Sequence, residues 1–374
     1  MKHLKKIDSV EMYGVRLPLV KPFETSFSVQ THREALLLKI TSDGVSGWGE
    51  CVTATDPYYC YETNSTSSHI IKGFLIPILM TLKNFSIETA LEKFDPIRGH
   101  NMAKAAVENA LLDLLARQYG IPLFQLIGGE DQKIMSGISI GIKDHMDDLF
   151  ESIQGASDKK YHRIKIKIKK GKDVEVLKAV RKTFPFIRLM ADANADYALE
   201  DIHLLKELDA FDLMMIEQPL NYDDIYFHSF LQKQIDTPVC LDESIKNLND
   251  AKTAVALGSC RIINIKQGRV GGMMKSKAIA AYCTDNHIDV WSGGMLETGI
   301  GRAFNIHLQT LPGFVLPGDT SETARYFTQD IVDKPVVLEP DGFIKIPEGA
   351  GTGVRVLSER LDRFKVFYEK IASG

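Results

Sequence analysis

Five ionisable residues, each closing an apolar run, recur along this chain at nearly constant spacing, and no other feature narrows the possible folds as much. Lys167 follows Arg163-Ile164-Lys165-Ile166, Asp192 ends Leu189-Met190-Ala191-Asp192, and Glu217 ends Leu213-Met214-Met215-Ile216-Glu217. Asp242 ends Val239-Cys240-Leu241-Asp242, and Lys266 ends Ile262-Ile263-Asn264-Ile265-Lys266. The successive separations are 25, 25, 25 and 24 residues. A period of about 25 residues is what one strand, one helix and two short loops require. Five βα units therefore each place an ionisable group at the carboxyl end of a strand. In a (β/α)8 barrel those ends form a single ring, where such barrels carry their chemistry. Read around the ring, the order is Lys, Asp, Glu, Asp, Lys.

The first of these strands alternates strictly, with Ile164, Ile166 and Ile168 on one face and Arg163, Lys165 and Lys167 on the other. Burying two lysines unpaired costs several kcal/mol or more, so an anion or water must face them. Eight Lys or Arg fall between 159 and 172, and alone this segment reads as a solvated basic face. Joined to the spaced carboxylates, it reads as part of a site. A Schiff-base aldolase would use the lysines but leave three carboxylates without a role. His287 and His307 do not fall at strand ends and are read as structural.

Three carboxylates converging on one ring cannot all stay ionised without a cation, because like charges a few ångströms apart raise one another's pKa. An all-oxygen set without Cys or His suits Mg²⁺, with Mn²⁺ as a substitute, rather than zinc or copper. The metal ligands expected are Asp192, Glu217 and Asp242. The acid/base pair expected is Lys167 and Lys266, since a lysine crowded by a metal and a second ammonium can have its pKa lowered toward neutrality. A base beside a metal-held carboxylate suits proton abstraction from the neighbouring carbon, with the resulting enediolate stabilised by the metal. Three supporting residues follow from spacing. Asn194 lies two residues past Asp192, Lys165 shares a face with Lys167 and is placed to depress its pKa, and Arg269 is placed to orient Lys266.

Elsewhere, residues 7–20 and 33–50 read as an antiparallel strand meander, with a turn at Ser42-Asp43-Gly44. Residues 21–28 and 53–62 read as aromatic loops, with Phe23, Tyr58 and Tyr59 open between cap core and substrate contact. From about Ser65 to Gly120 the pattern is helical, most clearly over Met102–Tyr119, so the first third is an α+β cap. The barrel begins with a strand at Ile134–Ile142. Its seventh strand, Ile288–Trp291, leads into a glycine-rich stretch over 292–301 and a helix at Arg302–Thr310. The backbone amides and helix N-terminus there suit an anion such as a carboxylate. Short strands are expected at Val336–Leu338 and Phe343–Ile346, in a tail that returns to the cap.

At 374 residues the chain is long enough for a barrel and a second, smaller domain. A net charge of −4 offers no general attraction to nucleic acid or an anionic membrane. Five cysteines without CxxC spacing point to reduced thiols in a cytoplasmic setting. No apolar run approaches a membrane span, and no signal-like run follows Met1–Lys6.

Taken together, Lys165-Ile-Lys167, Asp192-Ala-Asn194, Glu217-Gln-Pro-Leu220, Leu241-Asp242-Glu243-Ser244 and Lys266-Gln-Gly-Arg269-Val-Gly-Gly272 resemble the enolase superfamily. With Gly294-Met295-Leu-Glu297-Thr-Gly-Ile-Gly301, Gly318-Asp-Thr-Ser321 and Gly47-Trp-Gly-Glu50 they are most similar to its o-succinylbenzoate synthase / N-acylamino acid racemase family, within the muconate-lactonizing subgroup. One departure is Lys170-Gly171, where the family often has Pro before the glycine. The resemblance implies an α/β fold, a modified (β/α)7β TIM-like barrel over 131–334 with an α+β capping domain over 1–130 that takes a contribution from 335–374. It implies the metal and lysine roles given above, and supporting or substrate roles for Gly294, Met295 and Glu297. The reaction implied is a Mg²⁺-dependent syn-dehydration giving o-succinylbenzoate, a menaquinone precursor. N-acylamino acid racemisation is the alternative or an added activity, since the lysine pair serves both. The expected partner is a small-molecule carboxylate substrate, not nucleic acid or membrane, and the expected assembly is a homo-oligomer. A barrel that merely binds a carboxylate is the reading from another class. It predicts no loss of function in Lys167→Ala, where the enzyme reading predicts loss of turnover.

Overall fold

The computed structural model describes residues 2–24, 29–130 and 133–373. Its first sheet is antiparallel and joins distant parts of the chain. Strands β1 (Ser9–Glu24), β2 (Val29–Ser42) and β3 (Val45–Cys51) form the meander, and a late strand, Lys365–Ser373, pairs with the outer edge of β1. Residues 21–24 belong to β1 rather than to a loop, with Phe23 opposite Gln30 across a register shift after Pro18. Proline cannot donate to the ladder, which accounts for the break there. Residues 25–28, the rest of that expected loop, lie outside the described residues.

Helix α1 (Asn101–Gln118) is buried on every side from Met102 to Ala116, because it is sandwiched rather than laid on a surface. It rests on β3 so closely that a β-carbon on Gly47 would come within 2.3 Å of the Ala110 carbonyl oxygen, and one on Gly49 within 2.1 Å of that of Ala106. This is the physical content of Gly47-Trp-Gly: side chains there would hold the helix off the sheet. The Trp48 amide then donates to Asp113 at 2.9 Å. Gly120, at φ 64°, ends the run in the left-handed conformation common just past a helix.

The second sheet is parallel. Taken in chain order, β4 (Lys133–Met135) lies outside it, and its seven strands run β5 (Gly137–Ile140), β6 (Arg163–Lys167), β7 (Leu189–Asp192), β8 (Ile216–Glu217), β9 (Val239–Leu241), β10 (Ile262–Ile265) and β11 (Asp289–Ser292), each beside the next. A segment at 314–319 bridges the two open edges. Leu316 and Asp319 donate to the Val290 and Ser292 carbonyls, and Gly137 donates to that of Gly318. The cylinder thus closes with an eighth extended segment. Helices follow all seven strands, from Met146–Asp158 to Gly299–Leu308.

Three expectations change in detail. The strand expected at Ile134–Ile142 divides at Ser136, so that β4 pairs antiparallel with Phe343–Lys345 while β5 enters the barrel. Val336–Leu338 forms no strand. The helix expected from Arg302 begins at Gly299, where Thr298 caps it by accepting from the Ile300 amide. Alternation along the barrel strands behaves as read. Ile164, Ile166 and Ile168 pack outward into the main core, and Met190, Met215, Cys240, Ile262 and Trp291 fill the barrel interior as a separate cluster.

Candidate active site

The parallel register places Lys167 opposite Asp192, Asp192 opposite Glu217, and Glu217 opposite Cys240. Asp242 lies two residues beyond Cys240, and Lys266 two beyond Asn264, so both keep the inward face. All five expected residues therefore reach one end of the barrel interior. Lys165 and Arg163 are buried rather than solvated, which removes the surface reading of the basic segment. Their cationic heads lie over the Trp291 ring, with the Arg163 guanidinium 4.4 Å and the Lys165 Nζ 4.9 Å from its centroid.

Each carboxylate is drawn to a cation of the chain. Lys167 Nζ donates to Asp192 Oδ2 at 2.6 Å and to Asn194 Oδ1 at 2.5 Å. Lys165 Nζ lies 2.9 Å from Glu217 Oε2, 2.6 Å from Asp319 Oδ2 and 3.5 Å from Asp192 Oδ2. Lys266 Nζ lies 2.7 Å from Asp242 Oδ2, and Arg269 grips the other Asp242 oxygen. Asn264 completes Glu217 with a 2.6 Å donation to Oε1. Lys165, read from spacing as a like charge placed beside Lys167, is thus itself held by three carboxylates. Arg269 reaches Lys266 only through Asp242 and Tyr59.

Burial alone would raise the Asp192 pKa, but the ammonium groups of Lys167 and Lys165 outweigh it and hold the carboxyl well below its usual range. Glu217 stays raised, first by burial and then by the charge of Asp192. For Lys266, burial works downward, yet Tyr59, Glu243 and Glu217 outweigh it and raise the ammonium. For Lys266, the chain's own charges therefore do not supply the lowering toward neutrality expected beside a metal.

Among the described residues, Asp192, Glu217 and Asp242 do not form a ready three-carboxylate cage, because each is engaged by an ammonium or guanidinium instead. The donor set nonetheless fits a hard divalent cation. It is all oxygen, buried, and carried inward on successive strands. Beside it, Glu243 is also raised by burial, and its Oε2 has no partner.

The cap supplies the other wall. Tyr59 of the expected aromatic loop enters the pocket, its hydroxyl 3.2 Å from Lys266 Nζ and 3.1 Å from Arg269 Nη1, while Tyr58 is 65 % exposed. Phe23 lines the same pocket, edge-on to Tyr326 at 6.4 Å. Gly294, Met295 and Glu297 line it too, with Glu297 Oε1 accepting from the Met295 amide and from Asn305. The helix N-terminus expected to receive a ligand anion is already occupied. Glu50, from β3, accepts from the Thr298 amide and hydroxyl and from the Gly301 amide, at 2.6–3.1 Å. Asp330 takes the Gly299 amide at 3.0 Å. His307 is buried between Phe124 and Thr352, in a structural position.

Arg33, Arg302 and Asp319 also line the pocket, and none of them was given a site role from the sequence, although Asp319 lies in the Gly318-Asp-Thr-Ser321 motif. For Asp319 a signal existed. The interval continues past Lys266 by 26 residues to Ser292 and by a further 27 to Asp319, the ends of the seventh and eighth segments.

Two sequence families match the chain. Residues 9–128 match the mandelate racemase / muconate lactonizing enzyme N-terminal domain, and residues 148–360 match the enolase C-terminal domain-like family. The chain is 45 % identical over 362 residues to an o-succinylbenzoate synthase of Geobacillus kaustophilus, covering 96 % of each. It is 42 % identical over 369 residues to an N-succinylamino acid racemase of Thermus thermophilus, covering 99 % of this chain and all of that one. A crystal structure of an enolase-superfamily member from Listeria innocua superposes with a TM-score of 0.94 at 40 % identity, covering 98 % of this chain and 99 % of the other.

Proposed function

This chain belongs to the enolase superfamily, with the mandelate racemase / muconate lactonizing enzyme N-terminal domain, and from that premise we propose that it is an o-succinylbenzoate synthase, a lyase acting on a small-molecule carboxylate. The observation that favours the synthase is the 45 % identity over 362 residues to a relative of that name, while the pair of amines, Lys167 and Lys266, at the ends of β6 and β10 with three carboxylate-bearing strands between them, supplies the proton transfer in either reading. Enzymes of this superfamily generally depend on a divalent metal. Held by Asp192, Glu217 and Asp242, magnesium would supply positive charge where a substrate carboxylate gains negative charge.

The chain's own part is proton transfer. A lysine in its neutral form takes the proton alpha to the carboxylate of 2-succinyl-6-hydroxy-2,4-cyclohexadiene-1-carboxylate. The hydroxyl leaves from the same face, and the proton that lysine now carries departs with it as water, leaving the aromatic ring of o-succinylbenzoate. Asn194 orients Lys167 through its 2.5 Å contact, and Tyr59 with Asp242 orients Lys266.

A second reading, N-succinylamino acid racemase, is favoured by the opposed amines and by relatives of similar identity that bear that name. There one lysine removes the alpha proton and the other delivers one to the opposite face. Assay of the purified protein with Mg²⁺ on both substrates tests the proposal. Turnover of the cyclohexadiene carboxylate with the higher kcat/KM supports the synthase, and turnover of neither overturns both readings.

A further inference from the structure

Both substrate classes carry a second, distal carboxylate on a succinyl arm, and the cap end of the pocket holds a cation fitted to receive it. Arg33, on β2, is 3 % exposed and lines the pocket together with Gln30 and Asp56. Its Nη1 is fixed by the Thr53 carbonyl at 3.1 Å. Its Nε and Nη2 have no hydrogen-bond partner. Among the described residues lining this pocket, Arg33 alone carries buried cationic nitrogens left in that state.

The nearest anion does not satisfy them. Glu50 Oε1 lies 3.8 Å from Arg33 Nη2, beyond hydrogen-bond reach, and both Glu50 oxygens are spent on Thr298 and Gly301. A guanidinium stays charged at any accessible pH, and a buried charge without full pairing is expensive. The Nε and Nη2 pair is the edge that matches a carboxylate through two parallel hydrogen bonds. The other pocket cations are engaged otherwise: Lys165, Lys167 and Lys266 with strand-end carboxylates, and Arg302 with the Ser321 carbonyl.

We propose that Arg33 binds the distal carboxylate of the succinyl arm and so sets the preference for succinylated substrates. The inference rests on the proposed function and deepens it by assigning the far end of the pocket. Its test is a comparison of two substrates in three proteins. Wild type, Arg33→Met and Arg33→Lys are assayed on an N-succinylamino acid and on its N-succinamoyl analogue, which replaces the distal carboxylate with an uncharged amide of the same shape. Loss of a charge-assisted pair should lower kcat/KM for the succinyl substrate by roughly 10- to 100-fold in Arg33→Met, mainly through KM. The succinamoyl substrate should change less than about 3-fold, and Arg33→Lys should keep part of the preference. Activity on the succinamoyl substrate also reports that the variant is folded. An equal fall on both substrates in both variants would overturn the inference. Wild type inactive on both would remove the racemase reading, and the three proteins are then compared on the cyclohexadiene carboxylate: an Arg33→Met KM equal to that of wild type would overturn the inference, and wild type inactive on that substrate too would overturn the proposed function.

Discussion

Glu108 should make the stability of this protein fall between mildly acidic and neutral pH. It sits on α1, fully buried, where Oε1 accepts from the Met274 amide at 2.8 Å and Oε2 has no partner. Burial pushes its carboxyl from 4.5 up to about 7, against smaller opposing effects of the Met274 amide, the Lys275 charge and the Met273 amide. The folded state therefore binds this proton more tightly than the unfolded chain does. Below pH 4.5 the group is protonated in both states and makes no difference. Between 4.5 and about 7 the unfolded chain releases the proton while the folded chain keeps it, so stability drops by about 1.4 kcal/mol per pH unit, or about 3 kcal/mol in all. Above about pH 7 the contribution is constant. Glu108→Gln keeps an acceptor for Met274 and removes the titration. Urea unfolding of both proteins, followed through Trp48 and Trp291, gives the difference at each pH, and other titrating groups cancel in it. The variant should gain about 3 kcal/mol on wild type between pH 4.5 and 7.5. Parallel stability curves across that range would show that the burial argument is wrong.

Lys167→Ala and Lys266→Ala should each lower dehydration turnover by about three orders of magnitude or more while leaving the far-UV circular dichroism unchanged, and a fall of less than tenfold would remove that lysine from the proton-transfer role. Treatment with a chelator should abolish activity and added Mg²⁺ should restore it, whereas full activity after chelation counts against the assignment of Asp192, Glu217 and Asp242. Gly49→Ala puts a β-carbon 2.1 Å from the Ala106 carbonyl oxygen, so α1 must shift, and urea unfolding should show a loss of about 1–3 kcal/mol. A neutral Gly49→Ala would mean that the contact between α1 and β3 is looser than described.

The barrel was legible because its strands end in charged residues at a fixed interval. That interval reports chain length per βα unit, which depends little on tertiary detail. The inward face of β6 was legible for a related reason, since alternation assigns every second residue to one side. What spacing could not convey is which partner each charge finds. Lys165 bonds Asp319, 154 positions away, and Glu50 caps a helix that starts at residue 299, and neither contact leaves a local pattern. The first turn of that helix was missed because Gly299 and Gly301 read as loop residues. In the fold, Glu50 and Asp330 satisfy its free amides, and a β-carbon on Gly299 would strike Val332. Arg33 was passed over because a single arginine in a strand carries no periodic signal, and its burial is visible only once the cap meets the barrel.

Strand Lys365–Ser373 borders β1, with Ser9 opposite Ser373 and Tyr13 opposite Tyr368. During synthesis, β1 therefore leaves the ribosome long before its neighbour exists, and one whole edge of its backbone must wait through translation of the barrel. Loop closure over that separation is slow relative to the local βα contacts, so this pairing is among the last the sheet can make. Throughout that delay the open flank of β1 offers unpaired backbone to another copy of the chain.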